Sequence, residues 1–191
     1  MQTIQKKWDE IYQQGEGEPN VAEVLRNNHY LLPSQGVALD LACGLGGNAL
    51  MLADKGLTVK AWDISQVAIE KLAVTAAENG LDIEASVRDV VAEPPEANSV
   101  DVLVVSLFLE RKLCPAIMAA IKPGGLLMYQ TYCEQKVDKR GPNNPDYLLA
   151  DNELISLFSA MKVRVYREEA LLGNHAWGMR NQAWLLAEKP I

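Results

Sequence analysis

Histidine is nearly absent from this chain: His29 and His175 are the only two in 191 residues. Imidazole acid–base chemistry has just those two places to reside, and a histidine-built metal centre has none. Cysteine is almost as scarce. Cys43, Cys114 and Cys133 are odd in number and widely spaced, with no CxxC pair, so they read as reduced thiols rather than a disulfide framework or a zinc site. Lysine and arginine form no cluster, and 18 of them against 25 acidic residues leave a net charge of -7, which repels a phosphate backbone and disfavours nucleic acid as a partner. Long apolar runs are missing too. None reaches the roughly 18 residues of a membrane span, and Met1 to Trp8 has no signal core, so the expectation is a cytoplasmic protein without a membrane partner.

What the chain does have is enough apolar material for one sizeable core: 49% of residues are hydrophobic. One domain over 1–191 is expected, with a helical cap at 1–35 and a core at 36–191. Strand and helix signals alternate with short breaks, the mark of a parallel α/β sheet. Helices are predicted over 4–14 and 20–31, a first strand from Val37 to Ala42, a helix over Asn48 to Lys55, and a second strand from Leu57 to Trp62. Ser65 suits an N-cap, after which Ile69, Leu72, Ala73 and Ala76 recur at helical spacing and form the predicted sheet-facing side. Further strands are predicted at Ile83–Val87, Val100–Val105 and Leu126–Thr131, with a helix over 110–121 between the last two. A loop from Cys133 to Ala150, rich in Gly, Pro and Asn, precedes a helix that Asp151 can cap, running to Ala160. Val163–Tyr166 and Ala183–Ala187 are joined by too little chain for a crossover helix, so they are predicted to pair antiparallel.

The most informative stretch is Ala38-Leu39-Asp40-Leu41-Ala42-Cys43-Gly44-Leu45-Gly46-Gly47-Asn48, a buried strand entering a glycine turn and then a helix. Nineteen residues past Gly44, the second strand ends in Asp63, about where such folds place the acid that holds a ribose diol. A dinucleotide site keeps a third glycine beside its pyrophosphate, but Gly47, Asn48 and Ala49 follow Gly46, and the slot is not filled. No Lys-Ser or Lys-Thr follows the turn, which excludes a P-loop. An acid at the end of each of two strands with a glycine turn between them suits a ligand that has an amino-acid end and a ribose but no phosphate.

On these residues the chain resembles the class I S-adenosylmethionine (SAM) dependent methyltransferases. Ala61-Trp62-Asp63-Ile64-Ser65 is similar to the family's ribose segment, and Val87-Arg88-Asp89-Val90 to the end of its third strand, where a carboxylate accepts from the adenine amine. The resemblance implies a Rossmann-like, seven-stranded, mostly parallel sheet with the last strand reversed and helices on both faces. It implies SAM as cofactor and a binding set of Trp8, Tyr12, Asp40, Ala42, Cys43, Gly44, Gly46, Asn48, Asp63, Ile64, Asp89, Val90, Ser106 and Leu107. Other readings stay open for some of these: the glycines could serve only the turn, Asp89 could cap a turn, Cys43 could be packing, and Trp8 with Tyr12, at i and i+4, could be a packing staple as readily as a lid. Trp8-Asp9-Glu10-Ile11-Tyr12, Leu31-Leu32-Pro33, Leu107-Phe108-Leu109-Glu110-Arg111, Arg140-Gly141-Pro142-Asn143-Asn144-Pro145 and Asp151-Asn152-Glu153-Leu154 resemble the small bacterial tellurite-resistance and thiopurine methyltransferase groups. No Asn-Pro-Pro-Tyr or Asp-Pro-Pro-Tyr segment follows the fourth strand, so methylation of a base amine loses support.

The expected reaction moves the sulfonium methyl of SAM to a small-molecule acceptor, with a soft sulfur, selenium or tellurium species or an anionic nucleophile favoured because no general base stands out. His175, Arg180 and Arg140 are the candidate acceptor-side residues, the cations being suited to an anionic substrate; an exposed hairpin tip or loop arginine is the plainer reading of each. Two alternatives compete: a non-catalytic SAM-binding module, and an NAD-dependent oxidoreductase, which the unfilled glycine slot disfavours.

Overall fold

The computed structural model describes residues 2–15 and 19–191. Seven strands form one sheet: β1 (Val37–Leu41), β2 (Thr58–Asp63), β3 (Ile83–Val87), β4 (Val100–Ser106), β5 (Ile121–Tyr132), β6 (Lys162–Glu168) and β7 (Gln182–Glu188), in the order β3-β2-β1-β4-β5-β7-β6. The first five run parallel, and β7 inserts antiparallel between β5 and β6. Both the architecture and the reversed last strand are as expected. The chain moves outward from β1 to β3 and then restarts on the other side of β1 with β4. This makes a topological switch point, the place where open α/β sheets leave a crevice at the carboxyl ends of their strands.

Central strands read as unbroken apolar runs because both faces are covered. On β4, Leu103 and Val105 face one way, toward α5 (Cys114–Ala120) and α6 (Glu153–Leu157), where Tyr129 of β5 packs against Phe158 with ring centroids 5.4 Å apart. Val102 and Val104 face the other way, toward α2 (Glu23–Asn28), α3 (Gly47–Asp54) and α4 (Gln66–Glu78), meeting a layer that includes Leu25, Leu52 and Leu72. A further helix, α1 (Gln2–Gln13), lies on α4.

Several boundaries differ from expectation for identifiable reasons. Ser65 does cap α4, its hydroxyl accepting from Ala68 N–H at 3.2 Å. The buried face of that helix, however, is Ala68, Ile69, Leu72 and Ala76, while Ala73 is exposed. Ala68, four residues before Leu72, takes the place of Ala73 in the stripe. The predicted helix over 20–31 is the short α2 followed by a 3-10 turn at His29–Leu31, since the approach to Pro33 disfavours continued α geometry. The helix over 110–121 likewise begins with a 3-10 turn at Arg111–Leu113. β5 starts at Ile121, which pairs with Val100, and Lys122-Pro123-Gly124-Gly125 forms an irregularity inside the strand. Asp151 does not cap α6: the capping position is Asn152 at φ +59°, and the Asp151 carboxylate instead accepts from Gln135 Nε2 at 2.7 Å. α6 accordingly runs only from Glu153 to Leu157.

Candidate active site

The crevice at the switch point is flanked by two strained residues. Ala42, just past β1, and Leu107, just past β4, both hold φ +56°, a left-handed conformation that costs an L-residue of order 1 kcal/mol or more and collects at functional sites. Next to Ala42 the glycine turn is tight. Gly46 N–H donates to Cys43 C=O at 2.9 Å, and Gly44 stands at φ +53°. A Cβ added to Gly44 would sit 2.7 Å from the Tyr12 hydroxyl, so only hydrogen at that position admits the phenol. Gly46 is in turn pressed against Leu72 of α4.

Gly47 performs a task that spacing alone does not reveal. A Cβ there would collide with the backbone of Asn20, because the segment entering α2 crosses the amino end of α3 at this point. In a dinucleotide fold that helix end receives a pyrophosphate; here the chain's own backbone covers it.

The three acids take three different positions. Asp63 is 6% exposed, and its carboxylate accepts from Gly44 N–H at 2.8 Å and Ser65 N–H at 2.9 Å, which fixes it against the glycine turn with lone pairs still unused. Burial raises its pKa, and these N–H groups oppose that rise. Asp40 is fully enclosed. It accepts from Ala49 N–H at 3.0 Å and Asn48 Nδ2 at 3.3 Å, and burial pushes its carboxyl up to about 7. The structure thus places Asp40, expected among the cofactor-binding residues, beneath the turn as the acceptor for the start of α3, out of reach of a ligand. Asn48, 2% exposed, is also internal, donating to Ser106 Oγ at 3.0 Å and accepting from Ala22 N–H at 2.8 Å. Asp89 uses one carboxylate oxygen to cap the next turn, accepting from Val91 and Ala92 N–H at 3.1 and 3.2 Å, and keeps the other oxygen without a protein donor among the described residues. Val90 beside it is buried, and Ile64 is half-buried between Asp63 and the α4 cap.

α1 closes over this edge. Trp8 and Tyr12 stack at 5.9 Å between centroids; Trp8 is 38% exposed, while burial followed by the nearby Asp63 raises the Tyr12 pKa and keeps its phenol protonated. Asp9, on the same helix, is a residue the sequence reading passed over. Its carboxylate accepts from Ser65 Oγ at 2.6 Å and Val67 N–H at 3.3 Å, and Lys71 Nζ donates to Tyr12 C=O at 2.5 Å. α1 is therefore pinned to α4 by side chains whose pairing no local spacing announces. Cys43 is buried, and desolvation raises its thiol pKa, which leaves it a packing residue.

The acceptor-side candidates are not brought to the crevice as free groups. Arg180 donates to four main-chain carbonyls, Trp177 at 2.8 Å, Ala170 at 2.9 Å, Asn174 at 3.0 Å and Glu169 at 3.4 Å, so its guanidinium is committed to folding the 169–178 loop. His175 is exposed, and its Nε2 lies 2.8 Å from Leu171 C=O in the same loop. Arg140 is exposed and paired with Asp138 at 2.8 Å, which holds that carboxyl down to about 2. Arg111, quoted above only as part of a segment, binds Glu153 through two nitrogens at 2.6 and 2.9 Å and the carbonyls of Asp146 and Leu148 at 2.7 and 2.8 Å, anchoring the far end of the long loop. Among the described residues no group of three or more His, Cys, Asp or Glu could hold a metal, and no helix is long and apolar enough to cross a membrane.

Residues 38–125 match the family described as methyltransferase domain. YqeM of Bacillus subtilis (strain 168), which carries the name of a methyltransferase, is 26% identical over 121 residues, 59% of this chain and 49% of its own length, so the chain spans about half the length of that curated relative. TehB from Haemophilus influenzae superposes with a TM-score of 0.71 at 23% identity, covering 95% of this chain and 67% of the other. A SAM-dependent methyltransferase from Methanosarcina mazei gives 0.69 at 20% identity, covering 90% and 99%. At these identities the structural likeness establishes the fold. With the methyltransferase-domain match over 38–125 it bears out the resemblance: the chain has the fold shared by SAM-dependent methyltransferases, whose cofactor is SAM.

Proposed function

We propose that this chain, built on a domain of the class I SAM-dependent methyltransferase type, works as one unit over 1–191 in the cytoplasm, with 1–35 as cap, and moves the methyl group of SAM to a small-molecule acceptor that brings its own lone pair. The observation that carries the cofactor assignment is the pairing of Asp63 with Gly44 at the mouth of the β1/β4 crevice, 2.8 Å from carboxylate to N–H. Alongside it, the Asn20 backbone closes the α3 end that a pyrophosphate would need. The donor and acceptor set fits SAM: Asp63 has lone pairs for a ribose diol, Asp89 keeps one oxygen for an adenine amine, and the turn at Gly44 is open to backbone approach once the Tyr12 phenol withdraws. When bound, SAM supplies a methyl carbon made electrophilic by its sulfonium. This chain's part is to hold the reactants and exclude water, with Trp8 and Tyr12 closing the adenosine side and the exposed Leu107 side chain lining the approach from β4. Alignment of this kind contributes roughly 7 to 11 kcal/mol in the best intramolecular cases.

The preference for a soft sulfur, selenium or tellurium nucleophile rests on the state of the titratable groups. His175 and His29 are each bonded to a carbonyl of their own segment, the Tyr12 phenol is held protonated, and Asp40 is sealed under the turn. Among these groups an acceptor that needs its proton removed finds no placed base. An anionic acceptor gains less support, because Arg180 and Arg140 are engaged elsewhere. The net charge of -7 favours no nucleic acid. Calorimetry tests the cofactor assignment: SAM and S-adenosylhomocysteine are expected to bind and NAD is not, and NAD binding without SAM binding would sink the proposal. A screen of thiol, selenium, tellurium and carboxylate acceptors, read by S-adenosylhomocysteine release, then tests the acceptor class. Binding of SAM without turnover across the whole screen would favour a non-catalytic SAM-binding module.

A further inference from the structure

Gln130 is a polar side chain inside the apolar run of β5, 6% exposed. A buried amide is costly unless it is hydrogen-bonded, and an aliphatic residue of similar size would pack there without that cost. All of the amide's contacts bridge distant parts of the chain. Its Oε1 accepts from Val24 N–H at 2.9 Å, capping α2 from below, and its Nε2 donates to Gln182 Oε1 at 2.6 Å, at the start of β7. Its main-chain carbonyl accepts from Leu107 N–H at 2.8 Å, holding the strained residue at the end of β4. The neighbouring free N–H of the same helix entry, on Ala22, is taken by Asn48 at the cofactor turn. α2 is thus suspended between one side chain from the cofactor side and one from the acceptor side.

We infer that Gln130 is a positioning residue. By fixing α2 and β7 in one frame, its side chain keeps the segment entering α2 seated against Gly47 at the amino end of α3, beside the glycine turn, and so sets how long bound cofactor stays enclosed. This rests on the reading of the crevice as a SAM site. Gln130 does not act through the cofactor's own contacts, since the glycine turn is held by Asp40 and Asp63 independently.

The test is the dissociation rate of SAM, followed by stopped-flow tryptophan fluorescence on displacement with S-adenosylhomocysteine, in the wild type, Gln130→Met and Gln130→Glu. Gln130→Met removes both side-chain bonds and is expected to raise the off-rate roughly five- to tenfold with the on-rate little changed, the size expected for one or two lost hydrogen bonds. Gln130→Glu keeps an acceptor for Val24 N–H, and the Gln182 amide can rotate to donate to it, so the off-rate should return most of the way to wild type. If Gln130→Met does not fold, Gln182→Leu, which removes only the Nε2 partner, is expected to give a smaller rise of the same kind. A lowered melting temperature with an unchanged off-rate would make Gln130 merely structural and overturn the inference, leaving the functional reading intact. A wild type that binds no SAM would overturn that reading and this inference with it.

Discussion

On the β1–β3 side of the carboxyl edge, Asp63 receives N–H groups from Gly44, in the turn after β1, and from Ser65, after its own strand, while Asp40 receives one from Ala49 at the start of α3. On the β5–β7 side, Arg180 is wrapped in four carbonyls of its loop, Arg140 is held by Asp138, and Arg111 reaches Glu153, 42 residues away. Acids and backbone donors on the first side are arranged around a crevice, while cations on the second are used to shape loops. The difference teaches that a charged residue near a site serves a ligand only if the protein has not already supplied its partner.

The comparison can be broken most directly at Asp63. Asp63→Ala is expected to weaken SAM roughly 10 to 100 fold by calorimetry, because charge-assisted bonds to the ribose are each worth about 1.5 to 3 kcal/mol. The fold should lose stability as well, since Gly44 and Ser65 N–H lose their acceptor. Asp63→Asn keeps one carbonyl oxygen for the turn and should separate the two effects. An unchanged SAM affinity in both variants would make Asp63 a structural acid and erase the contrast between the two sides.

A middle-sized effect is expected on the other side. Arg180→Ala should leave SAM affinity within about twofold while loosening the 169–178 loop, seen as faster proteolysis there and slower turnover of any acceptor that the wild type accepts. His175→Ala, which removes one contact to Leu171 C=O, should do the same more weakly. A loop that stays protease-resistant in Arg180→Ala while turnover collapses would return the guanidinium to direct substrate contact.

The smallest effect sharpens the picture beneath the turn. Burial lifts the Asp40 pKa from 3.8 to about 7, so between those values the folded state binds more protons than the unfolded one. Unfolding free energy attributable to this group therefore falls as pH rises through that window and levels off above it. Asp40→Asn cannot titrate, and its melting temperature should vary less from pH 4 to 7 than that of the wild type. Parallel curves for the two proteins would show that Asp40 is ionised throughout.

The glycine-turn edge of β1 and β2 was legible because its logic is local. Gly46 N–H bonds Cys43 C=O, the Ser65 hydroxyl accepts from Ala68 N–H, and Asp63 accepts from Ser65 and from Gly44 beyond the adjacent strand, so spacing carries this part of the geometry. Helix limits were blurred by 3-10 turns at His29–Leu31 and Arg111–Leu113, where the apolar pattern continues although the hydrogen bonding tightens. The roles of Arg180, Asp9 and Gln130 were not legible, since their partners are chosen by the tertiary fold. Gln130 alone left a trace, as a polar residue in the apolar run Leu126 to Tyr132. Gly47 was read as a neighbour of a missing glycine, and its use against Asn20 requires knowing where the α2 entry passes.

The insertion of β7 between β5 and β6 also has a consequence for biosynthesis. β6 borders no strand other than β7, so when the ribosome has delivered β6 it has no edge to join. Until residues 182–188 emerge, β5 presents an open, apolar margin, and the Gln130 amide lacks the Gln182 partner that helps seat α2. The sheet is thus completed from its last strand backward, and the nascent chain passes through a stage in which β1 to β5 can pair while the acceptor side is unformed and exposed to misassociation.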